Sequence, residues 1–118
     1  MTRILIVEDE PHIAEALVFL FEREGFEPVV ITDGEVAMTA VADCDLVVLD
    51  VMLPGRSGFD VAAAVRALPR PPKTCVLTAK GQAADRERMK ALGVDAFVTK
   101  PFSNKALMET VRALLARP

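Results

Sequence analysis

The chain has 118 residues, 52% of them hydrophobic, and a formal net charge of −3. That length and apolar content suit one domain with a real core, and they exclude a disordered chain. The acidic balance and the lack of a Lys/Arg block speak against direct nucleic-acid binding, and no apolar run nears the roughly 18 residues that cross a membrane.

The N-terminus opens at once on strand-like sequence, so no signal peptide is expected and the cytoplasm is the expected location. Residues 3–8 read as a strand whose apolar run, Ile4 to Val7, ends in Glu8, Asp9 and Glu10. Pro11 then suits the first turn of a helix, where its missing N–H costs nothing. That helix should run to about residue 24, with Ile13, Ala16, Leu17, Leu20 and Phe21 inward and Gly25 ending it. Residues 28–31 form a second strand, Asp33 and Gly34 a turn, and residues 35–41 a short helix. The third strand, 45–50, closes on Asp50, and a loop rich in Pro and Gly follows. Ser57 with Asp60 three residues on resembles a capping box for a helix over 59–68. A fourth strand covers 74–77 with Thr78 at its end, and a mostly polar helix covers 83–92, closed by Gly93. The fifth strand, 95–99, leads into Lys100 and Pro101, and Ser103 caps a last helix over 104–116 with Leu107, Val111, Leu114 and Leu115 inward.

Five strands alternating with five helices predict a parallel sheet covered on both faces, with right-handed crossovers. Such sheets bind ligands at the carboxyl ends of their strands. Four of those ends deliver the acids after residue 7, then Asp50, then Thr78, then Lys100. Clustered carboxylates repel one another unless a cation relieves them, and hard oxygen ligands suit Mg²⁺. Asp9 and Asp50 are the best direct ligands. Glu8 could bind directly or through water, while Glu10 should cap the first helix. A carboxylate such as Asp50 can accept a phosphoryl group as an acyl phosphate, with cation charge and Lys100 neutralising it. A cis bond before Pro101 could aim the amine of Lys100 toward Asp50. Each residue also has a plain reading: a solvated acidic loop, a turn cap, a surface lysine, a strand-end threonine.

Taken together, these segments resemble the receiver domain of two-component response regulators. The matching residues are the run ending Glu8, Asp9 and Glu10; Asp50, Met52, Pro54, Gly55 and Gly58; Leu77, Thr78 and Ala79; and Thr99, Lys100, Pro101 and Phe102. The resemblance implies a single receiver domain over 1–118, a flavodoxin-like fold and strand order 2-1-3-4-5, the order of doubly wound sheets of that type. It implies that Asp50 is the phosphoacceptor and that Glu8, Asp9, Asp50 and the backbone carbonyl of Met52 hold Mg²⁺. Thr78 and Phe97 would be the switch pair, Phe97 standing where many relatives carry Tyr. The domain would be a switch rather than an enzyme, though able to phosphorylate itself from small donors and slowly to lose the group. The donor would be a sensor histidine kinase or phosphotransfer protein, since the lone His12 reads as a solvated helix residue. The output face would be the fourth helix, fifth strand and last helix, acting on an effector or a fused output domain. The chain reads as a complete regulator or as a receiver cut from a larger one. With Asp95, Ala96 and Phe97 at that face, symmetric dimerisation is less expected, leaving a monomer or a phosphorylation-dependent dimer. Met52 and Lys80 should flank the water path to the acyl phosphate, and bulky, apolar Met52 predicts slow loss.

Two other chemistries fit worse. A phosphatase resembling the haloacid dehalogenases needs a second Asp where Met52 stands. A carrier of flavin mononucleotide needs a phosphate loop where the acids after Val7 would repel one. A receiver-like module that binds without phosphorylation remains as an alternative. Cys44 and Cys75 are too few and irregular for a disulfide framework or zinc site. Both should lie near the N-terminal ends of neighbouring strands as reduced thiols.

Overall fold

The computed structural model describes residues 1–79 and 81–117. Five strands, β1 (Arg3–Val7), β2 (Glu27–Ile31), β3 (Leu46–Asp50), β4 (Lys73–Ala79) and β5 (Ala96–Lys100), form one sheet in the order β2-β1-β3-β4-β5. All neighbouring pairs are parallel. Helices α1 (Pro11–Arg23), α2 (Gly34–Ala40), α3 (Gly58–Arg66), α4 (Ala83–Ala91) and α5 (Asn104–Leu115) connect or follow the strands, and a 3-10 turn spans Val41–Asp43.

The strands alternate their side chains between two cores. Ile4, Ile6, Leu46, Val48, Cys75 and Leu77 pack with α1 and α5, while Leu5, Val7, Val47, Leu49 and Val76 pack with α2, α3 and α4. A strand buried on both faces reads as a continuous apolar run, which is why β1 and β3 stand out in the sequence. Among the described residues, no helix is long and apolar enough to cross a membrane.

Local chemistry sets the boundaries. Glu10 accepts hydrogen bonds from the N–H groups of His12 (3.2 Å) and Ile13 (3.0 Å), and the Ile13 bond foremost lowers its pKa. Ser57 and Asp60 form the reciprocal capping box of α3, and Ser103 accepts from the N–H of Ala106 at 3.0 Å. Gly25 and Gly93, at φ +85° and +83°, turn the chain after α1 and α4 where an L side chain would be strained.

Three expectations need correction. In α1 the buried small residue is Ala14, whereas Ala16 is exposed. At about 100° per residue Ala16 falls outside the stripe centred on Leu17. Asp33 and Gly34 are not a free turn: the Asp33 carboxylate accepts from the N–H of Glu35 at 2.7 Å as the N-cap of α2, and Gly34 is its first residue. Strand β4 continues through Thr78 and Ala79, because they pair with Thr99 and Lys100 of β5. Cys44 and Cys75 do lie free near the N-terminal ends of the neighbouring strands β3 and β4, but against opposite cores, so the sheet separates them. Burial pushes their thiols up to about 11 and about 12, which keeps both protonated and unreactive.

The N-terminal rim of the sheet is heavily tied. Arg3 reaches Glu27 at 3.0 Å and Asp43 at 2.7 Å, and its backbone N–H donates to Asp45 at 2.8 Å. The N–H of Thr74 donates to the carboxylate of Asp95 at 2.9 Å, and Arg112 of α5 pairs with Glu24 beyond α1.

Candidate functional site

At the opposite rim, strand order reverses between β1 and β3, and the chain directions there bring Glu8, Asp9 and Asp50 together. One carboxylate oxygen from each lies within 4.8 Å of the others. Glu8 is 1% exposed, Asp50 is partly exposed and Asp9 opens to solvent. Lys100, from the end of β5, crosses the sheet end to this group. Its Nζ lies 3.2 Å from Glu8 Oε1 and 3.5 Å from Asp50 Oδ2. The peptide between Lys100 and Pro101 is cis.

Three carboxylates face one ammonium, so the site carries excess negative charge when fully ionised. Glu8 absorbs the conflict: burial first, then the hydrogen bond and charge of neighbouring Asp50, push its carboxyl up to about 8, with Lys100 opposing. Two buried oxygens, Glu8 Oε2 and Thr78 Oγ1, have no hydrogen-bond partner among the described residues. Leaving a buried polar atom unpaired costs about 1–3 kcal/mol. An oxygen-ligated divalent cation would relieve the carboxylate group, and a phosphoryl oxygen beside Thr78 would accept a hydrogen bond from its hydroxyl. The donor set, all oxygen and open on one side through Asp9, suits Mg²⁺.

Thr78 is buried near the end of β4, one position beyond Leu77, which pairs with Asp50. Phe97 pairs with Val76, whose side chain shares a sheet face with that of Thr78 two residues on. Its half-buried ring packs against the α2–α3–α4 core, and the guanidinium of Arg86 lies 5.4 Å from the ring centre. Met52 is 69% exposed in the loop after β3, and Lys80 lies outside the described residues. His12 is exposed in the first turn of α1.

Sequence reasoning missed several contacts around this group. Arg86 and Arg88 stack on Phe97 and Phe59, the latter at 3.9 Å. Gln82 accepts from the N–H of Ala79, next to Thr78, at 3.1 Å. Gly34 and Glu35 touch the loop after Asp50. Only the acid–base pairing of Glu35 with Arg56 left a trace in the sequence, and it is one of many such pairs.

A parallel, doubly wound α/β sheet with acids and an amine gathered where its strand order reverses defines the class of this protein. Residues 4–112 match the family described as the response regulator receiver domain, and the chain belongs to that family of two-component signalling domains, which are not classical enzymes. Sensory transduction protein RegX3 of Mycobacterium tuberculosis is 44% identical over 119 residues, covering 99% of this chain and 52% of that protein. The chain thus spans about half the length of the curated relatives it matches. A response regulator of Chloroflexus aurantiacus, described as putative, aligns with a TM-score of 0.92 at 29% identity over 98% of each chain. The receiver domain of sensor histidine kinase PA1611 from Pseudomonas aeruginosa, which has magnesium coordinated in its active-site cleft, aligns at 0.89 and 24% identity over 98% of each. At that identity the likeness bears on the fold alone.

Proposed function

We propose that this receiver domain spans 1–118 and accepts a phosphoryl group on Asp50 from a partner histidine kinase or phosphotransfer protein. An Asp50 oxygen attacks the phosphorus, the bond to the donor atom breaks, and a mixed anhydride forms on the side chain. The observation that carries this reading is the ammonium of Lys100, 3.5 Å from Asp50 and 3.2 Å from Glu8, beside three converging carboxylates. In phosphoryl transfer most of the protein's help is positioning and charge neutralisation. Asp9, Asp50 and the Met52 carbonyl, with Glu8 directly or through water, would hold Mg²⁺. When bound, that ion neutralises the acids and draws charge from the phosphoryl oxygens. Lys100 holds another phosphoryl oxygen, and Thr78 donates its unpaired hydroxyl to a third.

Movement of Thr78 toward the phosphoryl group vacates space on the face it shares with Phe97. The ring can follow inward without the hydroxyl bond a Tyr would make. The face of α4, β5 and α5 changes as a result. Among the described residues of α4, Met89 is the buried one, so this helix is lightly held. The effector is a separate protein or a fused output domain, the domain works in the cytoplasm, and dimerisation follows phosphorylation where it occurs. Direct nucleic-acid or membrane binding is no part of this reading.

The test is intact-protein mass after incubation with Mg²⁺ and acetyl phosphate, beside Asp50→Asn. The expected result is one added phosphoryl group in the wild type, none in the variant and none with EDTA present from the start. Absence of an adduct in the wild type, with no Mg²⁺ binding, would leave a receiver scaffold used only for binding.

A further inference from the structure

The segment between β3 and α3 carries Met52, and it is held from two sides. Its base is closed by the N–H of Gly58 donating to the Val51 carbonyl at 2.9 Å. Its outer side rests on α2, where the N–H of Gly34 donates to the Pro54 carbonyl at 3.0 Å and Arg56 Nε pairs with Glu35 at 2.7 Å. There is no slack in this seat. A Cβ on Gly34 would stand 1.8 Å from the carbonyl oxygen of Arg56, and one on Gly58 2.4 Å from that of Asp50. Backbone, not a flexible side chain, fills both places.

We infer that the first turn of α2, through Gly34 and the Glu35–Arg56 pair, positions the Met52 loop for ligand binding at Asp50. The inference rests on the phosphoacceptor reading and adds a part to it. Mg²⁺ demands near-ideal octahedral geometry, so the backbone carrying a ligand carbonyl must be held closely. Pro54 is two residues from Met52, and its carbonyl is fixed by an amide from another element. Linkage makes the relation reciprocal: if seating α2 favours the ligand-competent loop, ligand favours the seating of α2 by the same factor. Helix α2 is suited to respond. It has 7 residues, with only Gly34 and Ala37 fully buried. A helix that short has little stability of its own and depends on such contacts.

The experiment follows the amide of Gly34 by hydrogen exchange in the full chain, without and with saturating Mg²⁺, and measures Mg²⁺ affinity by calorimetry in three variants. Gly34→Ala removes the fit, Arg56→Gln removes only the ion pair, and Leu114→Ala lowers stability from the other core. We expect Mg²⁺ to slow Gly34 exchange at least about fivefold and Gly34→Ala to weaken Mg²⁺ binding at least about fivefold. Arg56→Gln should weaken it less, and Leu114→Ala should leave it unchanged. Should Gly34→Ala not fold, wild-type exchange and Arg56→Gln decide. Unchanged Gly34 exchange at saturating Mg²⁺, or wild-type affinity in every folded variant of the Gly34 and Arg56 pair, overturns the inference. Equal weakening in Leu114→Ala also overturns it, because general destabilisation would then explain the loss. A wild type that binds no Mg²⁺ is a separate result that overturns the phosphoacceptor reading and this inference together.

Discussion

The guanidinium of Arg86 lies over the ring of Phe97, 5.4 Å from its centre, so helix α4 grips the one aromatic side chain of strand β5. An exposed contact of this kind is worth roughly 0.5–1 kcal/mol, a factor of about two to five in population. In the proposed switch the ring must leave this contact to follow Thr78. Arg86→Gln should therefore raise amide exchange in α4 and speed phosphoryl uptake from acetyl phosphate by about two- to fivefold. Uptake at the wild-type rate, with the ring's resonances unmoved, would show that the stack holds nothing back.

Thr78 buries a hydroxyl with no partner among the described residues. Thr78→Val keeps the shape and removes that unpaired group. The resting protein should gain on the order of 1 kcal/mol in denaturant unfolding. Asp50 should still take up a phosphoryl group, but the accompanying change in α4 exchange should disappear. A clear loss of stability instead would mean that the hydroxyl has a partner in solution.

Met52, exposed in the loop two residues after Asp50, carries an apolar side chain that cannot orient water. Met52→Asn supplies an amide able to do so. Decay of the acyl phosphate, followed by mass, should quicken on the order of tenfold, below the 10²–10⁴ of a full general base. An unchanged decay rate would place the control of lifetime elsewhere.

Glu8 gives the metal-free protein a pH dependence of stability. Its folded-state pKa is raised from 4.5 to about 8, so the folded chain holds this proton more tightly than the unfolded chain. The contribution is whole below about 4.5 and is lost as pH rises through about 8. In EDTA the melting temperature should fall over this window, and Glu8→Gln should remove that part of the slope. Equal slopes in the two proteins would contradict the assignment to Glu8. Added Mg²⁺ should flatten the wild-type curve by stabilising the ionised acid.

Much of this was legible in the chain because the relevant signals are local. Apolar runs that end in Asp50 or before Glu8 are strand ends in themselves, and Pro11, Ser57 and Ser103 announce helices within one turn. Parallel pairing then carries Glu8, Asp50 and Lys100 to one rim, whatever the details between them. What escaped is what depends on neighbours distant in sequence. Thr78 belongs to β4 only because Thr99 pairs with it. Gly34 reads as turn chemistry until the Arg56 carbonyl is seen filling the place of its side chain. The stacks of Arg86 and Arg88 look like surface charge in a helix that is polar almost all round.

The ties of Arg3 with Glu27, Asp43 and Asp45, and of Thr74 with Asp95, all lie at the rim away from Asp50. The rim that carries Asp50 is crossed by a single side-chain amine, that of Lys100, which ties β5 to Glu8 and Asp50. The sheet is thus riveted at one end and latched at the other, and a group that competes for the latch acts on β5 without disturbing the rivets.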